Sequence, residues 1–175
     1  MKKYLDIKGR NVVDCQGTLL GSVEDCIFDS RTNKICSLIV SSSRLFSSSS
    51  ILPLSCVLKL GDTIIYNGGA FSCKRKRLFM KRIITLNEIL GKQIINLEGI
   101  NEGHVADLII DDYDWEIVGL VCSRGLVEDL LGGRRLVLMS RNIILINDKI
   151  LVQRGSIKPF NCASVNHYIE RGKLR

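Results

Sequence analysis

The chain has 175 residues, 46% of them hydrophobic and 25% charged, with only two prolines and a formal charge of +7. That is a globular composition and not a disordered one. No apolar run approaches the roughly 18 to 20 residues of a membrane span, and Met1 to Lys8 carries charge where a signal peptide needs an apolar core, so a cytoplasmic protein is expected.

The positive charge is unevenly spread. Residues 71 to 83 hold Lys74, Arg75, Lys76, Arg77, Lys81 and Arg82 with no acid, and residues 153 to 175 hold five bases against Glu170. Taken from the whole-chain +7, these two segments leave the remainder at −3. The basicity belongs to a linker and a tail, and the bodies are slightly acidic. Seven cysteines, at 15, 26, 36, 56, 73, 122 and 162, are an odd number without a Cys-x-x-Cys pair. Cys26, Cys36 and Cys122 sit inside apolar strand patterns and read as small buried hydrophobes.

In chain order, Leu5-Asp6-Ile7 and Asn11-Val12-Val13-Asp14 alternate weakly and stop at Gln16-Gly17, and a longer run from Gly21 to Asp29 follows. This reads as two strands and a tight turn. Ser30 to Asn33 are turn formers, and Lys34 to Val40 form a β-branched strand behind them. Ser41 to Ser50 holds seven serines in ten residues and reads as a mobile loop. Ile51-Leu52-Pro53-Leu54 is a short strand whose proline belongs at an edge or an end. A helical turn over Ser55 to Leu60 and a closing strand at Thr63 to Tyr66 complete the set.

The chain then repeats itself at an offset of 82 residues, with nine identities between Gly9 and Ser41: Gly9/Gly91, Gly17/Gly99, Gly21/Gly103, Val23/Val105, Asp25/Asp107, Asp29/Asp111, Ile35/Ile117, Leu38/Leu120 and Ser41/Ser123. In the second copy, strands are expected at Gln93 to Asn96, Gly103 to Asp111, Glu116 to Ser123, Leu136 to Met139 and Lys149 to Val152. A loop from Gly125 to Arg135 replaces the serine stretch. Strands this short with turns every eight to twelve residues predict an all-β chain, a small closed or half-open antiparallel barrel in each repeat. In the tail, Asn161 is a helix cap, Cys162, Val165 and Ile169 share one helical face and Gly172 ends it, which predicts a short C-terminal helix. The domains are then residues 1–70, a basic linker 71–83, residues 84–155 and a basic tail 156–175.

This pattern of Gly9, Val12-Val13, Gly17, Gly21, Val23, Asp25, Asp29, Leu38-Ile39-Val40 and Leu52-Pro53-Leu54 resembles the PRC-barrel domain. The second copy matches through Gly91, Ile94-Ile95, Gly99, Gly103, Val105, Asp107, Asp111 and Leu120-Val121, and it departs at Leu138-Met139, where the proline is missing. The family includes the cytoplasmic domain of the photosynthetic reaction-centre H subunit and the C-terminal domain of RimM-type ribosome maturation factors. What the resemblance implies is a non-catalytic barrel that serves as a docking surface, without implying the partner.

The residues themselves support no enzyme. Asp25/Asp29 and Asp107/Asp111, if on regular strands, stand about 13 Å apart, too far to share a metal, and read as turn carboxylates at strand ends. His104 and His167 have no partner at metal-ligand spacing, and no phosphate loop or nucleophile motif occurs. Gly132-Gly133-Arg134-Arg135 reads either as an exposed loop or as a phosphate cradle. No cofactor or metal is expected. Two function classes stay open: a protein-docking adaptor with a partner of unknown identity, and an RNA- or ribosome-associated factor. In the second, Lys74, Arg75, Lys76, Arg77, Phe79, Lys81 and Arg82 form a strap with aromatics suited to stacking on bases. The same bases would suit an acidic membrane surface.

Overall fold

We describe a computed structural model of the chain, over residues 1–42, 49–68, 83–138, 144–146, 148–152 and 157–159. The chain falls into two compact units, one of Lys2–Asn87 with Asp112–Glu116, the other of Met1, Glu88–Asp111 and Ile117–Arg175.

The first unit contains β1 (Lys2–Lys3), α1 (Tyr4–Ile7), β2 (Asn11–Asp14), β3 (Leu19–Asp29), β4 (Lys34–Ser41), β5 (Ser50–Pro53), a 3-10 turn at Leu54–Cys56, β6 (Val57–Leu60), β7 (Thr63–Tyr66) and β8 (Ile83–Thr85). The strand order is β5-β4-β3-β2-β7-β6, with β8 also on β3. In the chain that follows, α2 (Leu86–Ile89) precedes β9 (Gln93–Asn96), β10 (Asn101–Ile110), β11 (Ile117–Ser123), α3 (Leu126–Gly132), β12 (Arg135–Leu138), β13 (Ile144–Ile146), β14 (Lys149–Val152) and β15 (Ile157–Pro159). Here the order is β13-β14-β9-β10-β11-β12-β15.

Each sheet is built on its long second strand. β3 pairs with β2 through Leu19 to Ser22 and with β8 through Ile27 to Asp29, on one edge, while β4 lines the other edge from Ser22 to Asp29. A strand can serve two neighbours in succession only if it bends. The bends are bulges, between Val23 and Asp25 in β3 and between Val105 and Asp107 in β10, and the partner strands bulge in turn at Cys36 in β4, opposite Ile27 and Phe28, and at Val118 in β11, opposite Ile109 and Ile110. Burial follows the bend: β3 alternates up to Glu24 and is then continuously buried from Asp25 to Phe28, as β10 is from Asp107 to Ile110. A run buried on both faces is mostly apolar, and here only the leading aspartate of each run is polar. In the second unit Leu108 and Ile110 are fully buried, while Ile109 packs in a separate cluster with Val121 and Leu136.

Gly21 and Gly103, near the start of these strands, allow the close approach of the neighbouring strand. With φ of +148° and +122°, a Cβ at either would overlap the backbone carbonyl oxygen of Ser41 or Ser123 on the neighbouring strand. Only a residue with no side chain lets the two backbones approach this closely.

Several expectations are corrected. Neither sheet closes into a barrel in the described residues: β5 and β6 end one order, β13 and β15 the other. The sheets are not purely antiparallel, because β2 runs parallel to β7 (Val12 opposite Ile64) and β9 parallel to β14 (Ile94 opposite Ile150). Each of those last strands reaches the free edge of the first after a hairpin with β6 or β13, which reverses its direction. Leu5-Asp6-Ile7 lies in the helical turn α1, which buries Tyr4 and Ile7 and leaves Leu5 and Asp6 exposed. Gly125 to Arg135 is not a loop but largely α3. Cys26 and Cys122 are buried as expected, but Cys36 is exposed, as the extra residue of β4 at the bulge opposite Ile27 and Phe28. The expected C-terminal helix and most of the serine stretch lie outside the described residues.

A Cβ at Gly21 or Gly103 meets backbone, whereas Gly17 and Gly99, with φ of +83° and +81°, face open space. Gly17→Ala and Gly99→Ala should therefore cost about 1–2 kcal/mol of left-handed strain, and Gly21→Ala and Gly103→Ala distinctly more, by thermal unfolding followed by circular dichroism. Equal losses at all four positions would contradict the close approach.

Candidate functional site

The shared aspartates are structural. Asp25, 5% exposed, sits at the β3 bulge, where its Oδ1 accepts from the Tyr4 hydroxyl (2.7 Å), the Cys26 N–H (2.7 Å) and the Asn87 N–H (3.2 Å). Asp107 occupies the matching bulge of β10, and its Oδ1 accepts from the Leu108 N–H at 2.8 Å. Bulging leaves backbone N–H groups without a ladder partner, and these carboxylates take them up. Asp25 and Asp107 are thus buried strand residues and not turn carboxylates. Asp29 does end its strand, accepting from the backbone and guanidinium of Arg31 at 3.0 to 3.1 Å. The basic residues Lys74, Arg75, Lys76, Arg77, Phe79, Lys81 and Arg82 lie outside the described residues.

Among the described residues the second repeat carries a feature the first lacks, a polar network beneath an exposed helix. Glu102, 8% exposed on β10, accepts from Asn96 Nδ2 (3.1 Å) at one carboxylate oxygen and from Arg124 Nη2 and Arg135 Nη1 (both 2.9 Å) at the other. Its carbonyl takes the Cys122 thiol at 3.0 Å and Arg124 Nε at 3.3 Å. One acid thereby ties together β9, β10, β12 and the end of β11. Burial pushes the Cys122 thiol up to about 11, which makes it a packing group and not a nucleophile at neutral pH.

Asp129, on α3, is the second anchor. Its carboxylate accepts from Ser123 Oγ (2.7 Å), Arg134 Nε (3.2 Å) and the Arg124 N–H (3.3 Å), and Ser123 Oγ in turn accepts from the Gly125 N–H (3.2 Å). The Ser123 hydroxyl above all, with the Arg124 N–H and Arg134, holds this carboxyl below the usual carboxylate range. Gly133 closes the helix by donating to the Asp129 carbonyl at 3.1 Å.

With Asp129 turned to the sheet, the remaining apolar residues of α3 face outward. Leu126, Val127, Leu130 and Leu131 are 84%, 70%, 85% and 85% exposed. Four apolar side chains this exposed within seven residues form a patch, unlike scattered surface leucines. The arrangement also resolves the Gly132-Gly133-Arg134-Arg135 alternatives: Gly132 ends the helix, and both arginines are already paired with Asp129 and Glu102. Among the described residues no group of three or more His, Cys, Asp or Glu could hold a metal ion. Reading the segment as a loop missed the helix, although Leu126/Leu130 and Val127/Leu131 at i,i+4 were a signal for it.

Removing one member of a mostly buried, charge-assisted set leaves its partners unsatisfied. Glu102→Ala should cost about 2 kcal/mol of stability, discounted because both arginines are about a third exposed. Asp129→Ala should free α3 while leaving the sheet intact. Because the folded Asp129 titrates below its ordinary value near pH 4, its contribution is complete above that pH and is lost as pH falls through the lower folded value. Amide exchange of residues 127–132 should therefore be steady from about pH 7 to 5, once corrected for intrinsic rates, and rise below about pH 4. The same profile in Asp129→Ala would contradict this anchor.

A family model for the PRC-barrel domain matches the chain twice, over residues 1–70 and 81–156. No curated protein matches it.

Proposed function

This chain belongs to the PRC-barrel family, and from that premise we propose that its two PRC-type repeats act in tandem as a non-enzymatic docking module in the cytoplasm, an adaptor that needs no cofactor or metal. The observation that carries this reading is the outward apolar face of α3, anchored by Asp129 on one side and bare on the other. Burying a leucine or valine side chain contributes about 1.5–3 kcal/mol. Four together supply about 6–12 kcal/mol, comparable to the cost of association, so with a polar rim they support a weak to moderate affinity. The first repeat has a serine stretch at this place in the sequence, and the proposed docking face is that of the second repeat.

A second reading is favoured by one feature of the sequence, the six bases without an acid in residues 71 to 83. Under it, the strap of Lys74, Arg75, Lys76 and Arg77 holds RNA or a ribosome by charge, with steep salt dependence and little sequence preference.

One affinity experiment on native lysate separates the two. Proteins retained by the immobilised chain should survive nuclease treatment and be lost from the Leu126→Asp/Leu130→Asp variant. Retention that nuclease and the Lys74→Gln/Arg75→Gln/Lys76→Gln/Arg77→Gln variant abolish, and the α3 variant does not, would overturn the docking reading in favour of RNA.

A further inference from the structure

We propose that the edge of β3 at Ile27–Asp29, with the buried Asp25 beside it, is a strand-acceptor site of the first repeat, and that its ligand is an extended segment ending in Leu-Asn. In this chain Ile83–Asn87 fills it. Those residues belong to the second match of the family model, so the first repeat is finished by residues of the second. The inference does not draw on the docking reading.

The argument starts from what residues 1–70 leave open. β2 pairs with β3 only from Leu19 to Ser22, so beyond the bulge this edge of β3 has no partner from the first repeat among the described residues. An open edge presents unpaired N–H and C=O groups, and here it would do so at Ile27 and Phe28, whose side chains are almost wholly buried. β8 supplies the partner, with Thr85 opposite Ile27, Ile84 opposite Phe28 and Ile83 opposite Asp29. Leu86, fully buried, comes next.

Asn87 then engages the socket through its backbone N–H and both ends of its amide. The N–H donates to Asp25 Oδ1 (3.2 Å), Oδ1 accepts from Lys8 Nζ (2.7 Å) and the Tyr4 hydroxyl (3.1 Å), and Nδ2 donates to the Glu24 carbonyl (3.5 Å). Every one of these partners comes from the first repeat. At the 82-residue offset the counterpart of Asn87 is Leu5, which is exposed, so the amide is particular to this socket.

Asp112–Glu116, also from the second match, lies in the same unit. The Ile35 N–H donates to the Trp115 carbonyl at 2.9 Å, and Lys34 pairs with Asp114 at 3.1 Å. In sequence, β7 ends at Tyr66 and β8 begins at Ile83, both in this one unit. A cut between them therefore leaves the acceptor and its ligand on separate pieces, joined only by non-covalent contacts.

A specific protease site inserted between Lys76 and Arg77 of the full chain turns this into a binding measurement. After cleavage the two pieces should elute together at micromolar concentration. Asn87→Ala, a change at an exposed residue, should speed their separation at least about tenfold through the lost hydrogen bonds, and Leu97→Ala, exposed and outside this unit, should not. In the uncut chain Asn87→Ala should also speed amide exchange at Ile27–Asp29 while β2 and β7 keep their protection. Pieces that part on cleavage overturn the proposal, as do pieces that separate no faster with Asn87→Ala or exchange at Ile27–Asp29 that the variant leaves unchanged. None of these outcomes bears on α3, so the docking reading stands or falls separately.

Discussion

The constraint on which both repeats depend is the approach of two backbones at a residue without a side chain. Gly21 lies against the carbonyl of Ser41, and Gly103 against that of Ser123, closer than a Cβ permits. A few residues on, the long strand bulges, and a buried aspartate takes up the backbone N–H that the bulge leaves over. The bend is what lets β3 pair with β2 and then β8 on one edge. Glycine, bulge and aspartate recur 82 residues later because the geometry admits few other residues at those positions.

On this shared frame the repeats differ where sequence is free to vary. Leu20 of the first repeat is replaced by Glu102 and Ser42 by Arg124, and with Arg135 these build a mostly buried charge-assisted network at the end of β11. The network alone has no chemistry to perform, since its acids and arginines satisfy one another. Its consequence is positional: it fixes Arg124 and Arg135 on either side of α3, while Asp129 ties the helix to Ser123. The polar side of α3 is thereby used up inward, and its leucines are left outward. That division of the helix is the physical basis of the docking proposal.

Much of the fold was legible in the sequence because glycine and aspartate positions encode backbone geometry directly. The turn at Gln16-Gly17 and the strands at Gln93 to Asn96 and Lys149 to Val152 stand where the pattern put them. The parallel pairing of β2 with β7 was not legible, since alternation reports which residues are buried and not the direction in which a partner strand arrives. Asp25 was misread because a carboxylate is ordinarily a surface or turn group, and nothing local announces that Tyr4 and Asn87 will satisfy it. Trp115, with φ of +61°, occupies the left-handed position that Asn33 fills in the first repeat. Asparagine signals such a position and tryptophan does not. Of the candidate site, the helical spacing of α3 was readable, but Glu102 was not, because its partners come from three other strands or their ends.

The central claim is that one repeat, through the bare face of α3, is where a partner docks. Photo-crosslinking in native cells tests it most directly, with a photoreactive residue in place of Leu130 and, for comparison, of Leu58, which is 62% exposed in the first unit. The account predicts discrete protein adducts from position 130 and none of the same adducts from position 58. Identical adducts from both positions, or none from position 130, would contradict it.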